Sequence, residues 1–227
     1  MSDLYLSSGQ VAVTRDKVLR NTYLLLGLSL IPTVIGALVG INMSFAFLRA
    51  SPVLGSFAFL AVFYGLVFAI ERNRETSLGV YLLLGFTFLM GVMLGPLLQV
   101  ALGLRGGAQM VALAAGGTSA VFFGMSAIGS TTKRDLSGMT RFLTAGAIVL
   151  MVAVVANLFL QMTLLQLTIA AAFMLFSSLM IMWQVNNIVN GGETNYVSAT
   201  LTLYISIYNI FVSLLQIIMS VSGNSRD

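Results

Sequence analysis

The chain has 227 residues, 58% of them hydrophobic and only 8% charged, with a mean hydropathy of +0.99. Soluble domains carry about a quarter charged residues, so a surface this apolar is excluded from water and must face lipid or neighbouring helices. The sequence contains no Cys and no His. This removes disulfides, thiolate metal sites, the usual general base and the commonest metal ligand.

A charge at mid-bilayer costs about 2.5–3.5 kcal/mol, so uncharged intervals between charges mark the spans. Residues 1–20 are polar, show no strong helical period and carry no small-residue cleavage signal. They are predicted to form a flexible cytoplasmic tail before a retained helix. Intervals 21–48, 50–70, 76–104, 106–132 and 194–225 hold one span each, and 142–192 spans 51 residues, room for two. A span needs about 20 residues. The least apolar part of the long interval, Asn157 to Gln166, is the predicted turn. The expected spans are 22–42, 52–70, 78–101, 108–128, 142–160, 165–186 and 198–220, within a transmembrane domain 21–222. A periplasmic tail 223–227 follows.

Lys and Arg sort the two sides. The N-terminal segment and the loops at 71–77, 129–141 and 186–197 hold Arg15, Lys17, Arg20, Arg72, Arg74, Lys133, Arg134 and Arg141. The other side has Arg49, Arg105 and Arg226. This bias predicts a cytoplasmic N-terminus and a periplasmic C-terminus. The net charge of +4 is thereby assigned to membrane loops, not to nucleic-acid binding.

Small residues let membrane helices approach closely. Gly36 and Gly40 in the first span and Gly91 and Gly95 in the third are spaced for this. Ala112, Gly116, Ala120 and Gly124 form a small face on the fourth, read as a packing face. Pro96 in the third span removes a backbone donor and predicts a kink.

In the last span, Ser198, Thr202, Ser206, Asn209, Ser213, Gln216 and Ser220 follow at intervals of 4, 4, 3, 4, 3 and 4. At 100° per residue they fall within an arc of about 80° and run about 33 Å. Hydroxyls and amides lack partners in hydrocarbon, so this face must turn inward. The seventh span is therefore predicted to be central, ringed by the other six, with Tyr204 and Tyr208 on a different face. Polar groups available to meet the stripe are Asn157 and Gln161 on the fifth span, Gln184, Asn186 and Asn187 on the sixth, and Gln99 on the third. Two readings stay open here: interhelical hydrogen bonding, and a hydrated path or ligand cleft.

Catalytic signatures are missing from the sequence. Neither a phosphate-binding glycine loop nor a nucleophile elbow occurs. No span contains Asp or Glu, which leaves no intramembrane carboxylate pair and no midplane proton carrier. No cofactor and no enzymatic activity is expected.

The segment "WQVNNIVNGGETNYVSATLTLYISIYNIFVSLLQII" resembles the C-terminal signature of the Bax inhibitor-1 family of seven-helix membrane proteins. "KVLRNTYLLLGLSL", "LGPLL", "SAIGSTTKRDLSGM" and "VANLFLQ" extend the resemblance over nearly the whole chain, toward the bacterial branch that modulates the FtsH protease. The resemblance implies a bundle with a central seventh helix in the bacterial inner membrane. It also implies FtsH as partner, alone or with its prohibitin-like complex, and a role in membrane-protein proteolysis. Calcium-leaking members of the family carry acids in a Y-D-x-x-x-I and an L-Y-L-D pattern. "WQVNNI" places Gln184 at the first acid position and "LYIS" places Ser206 at the second. Neither ionises, so a proton switch and strong calcium binding are not expected. The alternative to a protease modulator is a cation leak whose pH-sensing site is degenerate. The interior polar path would then be Gln184 and Ser206, supported by Asn187, Ser198, Thr202, Asn209, Ser213 and Gln216.

Overall fold

The structure, a computed structural model of the chain, describes residues 2–46, 51–132, 134, 136 and 138–224. Its helices are α1 (Ser2–Ile41), α2 (Pro52–Arg72), α3 (Ser77–Met93), α4 (Gly95–Gly103), α5 (Gly107–Thr131), α6 (Met139–Leu160), α7 (Thr163–Val189) and α8 (Tyr196–Asn224). No strand occurs among the described residues. Among the described residues, seven helical stretches are long and apolar enough to cross a membrane, the third being α3 and α4 together. The backbone is helical from Ser2, where the sequence pattern predicts an irregular tail to residue 20. The last three residues of the expected C-terminal tail lie outside the described residues, as do Lys133, Arg49 and Arg226.

The turn between the fifth and sixth spans falls at Gln161 and Met162, inside the predicted segment. The third span breaks at Leu94. Pro96 has no N–H to give to the Val92 carbonyl, and its ring crowds that carbonyl. The chain restarts as α4, with Leu98 N–H donating to Leu94 O at 2.9 Å.

Alternating spans give the bundle two ends. One, here the Arg74 face, carries the α2–α3, α5–α6 and α7–α8 connections. The other, the Gln161 face, carries the α4–α5 and α6–α7 turns.

Glycines decide the tightest contact, between α1 and the third span. A Cβ on Gly36 would meet the Phe88 carbonyl oxygen, and one on Gly91 would meet that of Thr33. A Cβ on Gly40 would meet the Val92 carbonyl oxygen, and one on Gly95 would meet that of Gly40. Backbones this close are what small residues permit in a bilayer.

The fourth span corrects its expectation. Ala112, Gly116, Ala120 and Gly124 are all exposed, and a Cβ on Gly116 or Gly124 would meet nothing within 4 Å. α5 packs through the opposite face instead, burying Ala114, Thr118, Ser126 and Gly129. Small residues run all round this helix, so the four-residue spacing occurs on more than one face.

Among the described residues, α8 packs against every helix except α6. It is enclosed on two opposite sides: Ser198, Ser206 and Ser213 are buried on the stripe, and Tyr204 is buried away from it. The Tyr204 hydroxyl shares a hydrogen bond with Thr33 (2.8 Å) and donates to the Thr87 carbonyl (3.2 Å). It thereby joins the first, third and seventh spans. An aromatic row runs Phe63–Phe86–Tyr204–Tyr208, with centroids 5.5, 6.0 and 6.4 Å apart. The seventh span is thus ringed by five spans, and the fifth stands apart from it.

Candidate functional site

The polar stripe divides into two halves of different character. At the Arg74 face its groups are tied into the protein. Asn195 caps α8, its Oδ1 accepting the N–H groups of Val197 (2.8 Å) and Ser198 (3.1 Å). Its Nδ2 donates to Arg74 O (3.0 Å) and Glu75 Oε1 (3.1 Å), so one amide both starts the last span and holds the α2–α3 loop. Ser198 Oγ donates to Glu71 Oε2 at 2.8 Å, and Arg74 Nη1 lies 3.4 Å from that carboxylate. These charges sit at the Arg74 end of the stripe, where Arg74 and Glu71 are partly exposed.

The sixth-span residues separate. Asn186 turns toward α5: its Nδ2 donates to Gly129 O (3.2 Å) and Thr132 O (2.9 Å), and its Oδ1 accepts from Leu136 N–H (3.2 Å). Asn187 belongs to the corner that ends α7, where its carbonyl accepts from Gly192 N–H at 2.9 Å. That corner depends on Gly191 at φ +79°, a left-handed cap that glycine adopts without a Cβ clash. Gln184 and Ser206, the positions where the resemblance implies acids, are both buried. Ser206 Oγ donates to Thr202 O within its own helix at 2.8 Å, while Gln184 Nε2 has no partner. No hydrogen bond joins the two among the described residues. Gln99 serves the first span, donating to the carbonyls of Gly40 (3.2 Å), Ile41 (2.9 Å) and Met43 (2.9 Å) at the end of α1.

At the Gln161 face the stripe opens onto a cavity of about 610 Å³ between α6, α7 and α8. Asn209, Ser213 and Gln216 line it from the seventh span, Asn157 and Gln161 from the end of the fifth, and Gln166 from the start of the sixth. Asn157 and Gln161 therefore face the stripe as the sequence predicts, whereas Asn186, Asn187 and Gln99 do not. Among the described residues, no charged side chain lines the cavity. Asn157 Oδ1 accepts from Met162 N–H (3.2 Å), and Gln161 N–H donates to Asn157 O (2.9 Å), closing the turn at the cavity mouth. Gln161 is held at φ +50°, the left-handed region that side chains other than glycine adopt at a cost.

The cavity ends near mid-depth. Asn209 lies at the centre of the span Tyr196–Ser222. Beyond it toward the Arg74 face, Ser206 and Leu203 of α8 and Ser177 and Ile181 of α7 are all buried. Sequence reasoning missed Gln166, Asn195 and Tyr204 as site or anchoring residues. Gln166 carried a usable signal: with Ile169, Ala170 and Phe173 it forms an i, i+3, i+4, i+7 face, and all four line the cavity.

The profile of the family described as "Inhibitor of apoptosis-promoting Bax1" matches residues 15–223. The chain belongs to the Bax inhibitor-1 family. Among relatives within it, an uncharacterized protein of Neisseria meningitidis serogroup B is 53% identical over 213 residues, covering 93% of this chain and 94% of its own length. An uncharacterized protein of Pseudomonas aeruginosa is 44% identical over 207 residues, covering 91% and 90%. The Escherichia coli K12 protein named "Modulator of FtsH protease YccA" is 43% identical over 206 residues, covering 91% of both chains. These names and this Bax inhibitor-1 membership point to a regulatory membrane protein more than to an enzyme.

Proposed function

We propose that the chain is an inner-membrane protein that binds an FtsH-type protease and modulates its action on membrane proteins. The carrying observation is the 43% identity to the named modulator along 91% of both chains. The site chemistry fits this reading: among the described residues its intramembrane half offers neutral amides and hydroxyls and no acid or base. Modulation by contact requires neither. The Lys and Arg bias supports placing the N-terminus and the Arg74 face in the cytoplasm and the C-terminus in the periplasm. A prohibitin-like complex bound to the protease is part of the same proposed assembly. Affinity purification of the full chain in mild detergent is expected to recover FtsH. Its absence, under conditions that hold other FtsH partners, counts against the reading.

A cation leak is the second reading, favoured by the cavity that brings polar side chains to Asn209. Against it stand the buried residues that close the cavity at mid-depth. In proteoliposomes, flux above protein-free vesicles that changes on Ser206→Leu would support the leak. A flat trace across pH and calcium concentration retires it.

A further inference from the structure

The half-span cavity is distinguished by what its side chains lack. Gln161, Gln166, Asn209, Ser213 and Gln216 form no side-chain hydrogen bond to any described residue. Gln161 and Gln166 are exposed at the mouth. Asn209, Ser213 and Gln216 lie within the span, where an unpartnered amide or hydroxyl is costly, so these three are organised for something the chain does not itself supply. Charge narrows the choice. Among the described residues, no Lys or Arg lines the cavity to hold a phosphate or carboxylate, and no Asp or Glu to hold a divalent cation. Carboxamides both donate and accept, so their complement is a neutral group that does the same: another carboxamide, a hydroxyl or a peptide group.

Shape narrows it further. Asn209, Ser213 and Gln216 run along two turns of α8, about 10 Å, reaching the span's centre and so passing below the headgroup zone. Val212 beside them and Val154 and Leu158 across from them are apolar. A polar row with apolar flanks matches the surface of a helix with a polar stripe. α6 does not pack on α8, so the seam between them is not closed by helix contact.

We propose that this cavity is a docking site for the polar face of a membrane-spanning helix of another protein, one bearing Asn, Gln, Ser or Thr at mid-depth. The proposal rests on the reading of the chain as a partner-binding modulator and adds the contact surface to it.

The chain has no native Cys, which makes single-cysteine chemistry clean. Val212→Cys places a thiol in the cavity, and Leu113→Cys places one on the exposed side of α5. Each full-length variant is reconstituted in phosphatidylethanolamine–phosphatidylglycerol vesicles with a synthetic polyleucine transmembrane peptide. The peptide carries a central Asn and a nearby thiol for bismaleimide crosslinking, and an all-Leu peptide is the comparison. The Asn peptide is expected to crosslink to Val212→Cys about tenfold more than the all-Leu peptide, as two or three interhelical hydrogen bonds allow. Leu113→Cys shows no preference. Adding Asn209→Leu or Gln216→Leu to Val212→Cys removes the preference, and Asn209→Gln keeps it. Melting curves of the variants confirm the fold. Equal crosslinking of the two peptides overturns the proposal, because the cavity is then occupied by water or lipid. So does an efficient Val212→Cys dimer without peptide, which assigns the cavity to a second copy. FtsH capture is scored separately. FtsH capture by the parent chain, with no peptide preference at Val212→Cys, sinks the docking site and leaves the modulator. Peptide preference without capture does the reverse.

Discussion

Asn195 shows how much one amide can do at a helix start. It satisfies two N–H groups that α8 leaves unpaired and also grips the α2–α3 loop. Asn195→Ala is expected to lower stability by about 1–2 kcal/mol, read as a lower melting temperature in detergent. Arg74→Ala is expected to stay within about 1 kcal/mol of the parent, because its ion pairs are solvent-exposed. Ser206 tests the loss of charge from the interior. Its hydroxyl bonds within its own helix and its surroundings are buried, so an acid there gains no cationic partner. In Ser206→Asp, a carboxyl group is buried without a charged partner, and the variant is expected to be less stable by about 2–4 kcal/mol. Ser206→Asn, which adds bulk but no charge, is expected to cost less, and melting temperatures of the two variants in one detergent check this.

At the scale of elements, two glycine sets with the same spacing behave oppositely. Gly91 sits against the Thr33 carbonyl, and Gly116 faces open space. Gly91→Ala must push two helix backbones apart and is expected to cost about 1–3 kcal/mol. Gly116→Ala meets nothing and is expected to be neutral, or stabilising by up to about 1 kcal/mol through helix propensity. Melting curves of the two variants in one detergent decide it. The spacing was legible in the sequence for both sets. The difference was not, because it depends on which face meets a neighbour, and "ALAAGGTSA" is small on every side. The break at Leu94 was legible, since Pro96 acts on its own helix. The role of Gln99 was not, because its partners lie about 60 residues away in α1.

Across the whole molecule, enclosure is uneven. The third and seventh spans form the interior, while the fifth packs on the sixth, touches the second and leaves the cavity on its inner side. Stability is expected to follow that distribution. Hydrogen–deuterium exchange in nanodiscs should be faster for Asn157–Gln161 at the cavity mouth than for Leu83–Met90 in the core. Equal protection would mean the fifth span is held as firmly as the third. The same unevenness explains why the stripe serves two purposes. Where spans crowd α8 its hydroxyls are absorbed by local bonds, and where α6 stands off they line open space.

The sequence by itself determined the solvent of this protein, the number of its spans, the turn inside the long uncharged interval and the one-sidedness of the last helix. Each is a local quantity, set by charge spacing along the chain or by angle around a single helix. Only the tertiary structure decided which small face packs, which amides meet across helices and where the polar stripe is satisfied or left open. Those outcomes depend on neighbours distant in sequence, and no periodicity within one helix records which neighbour it will have.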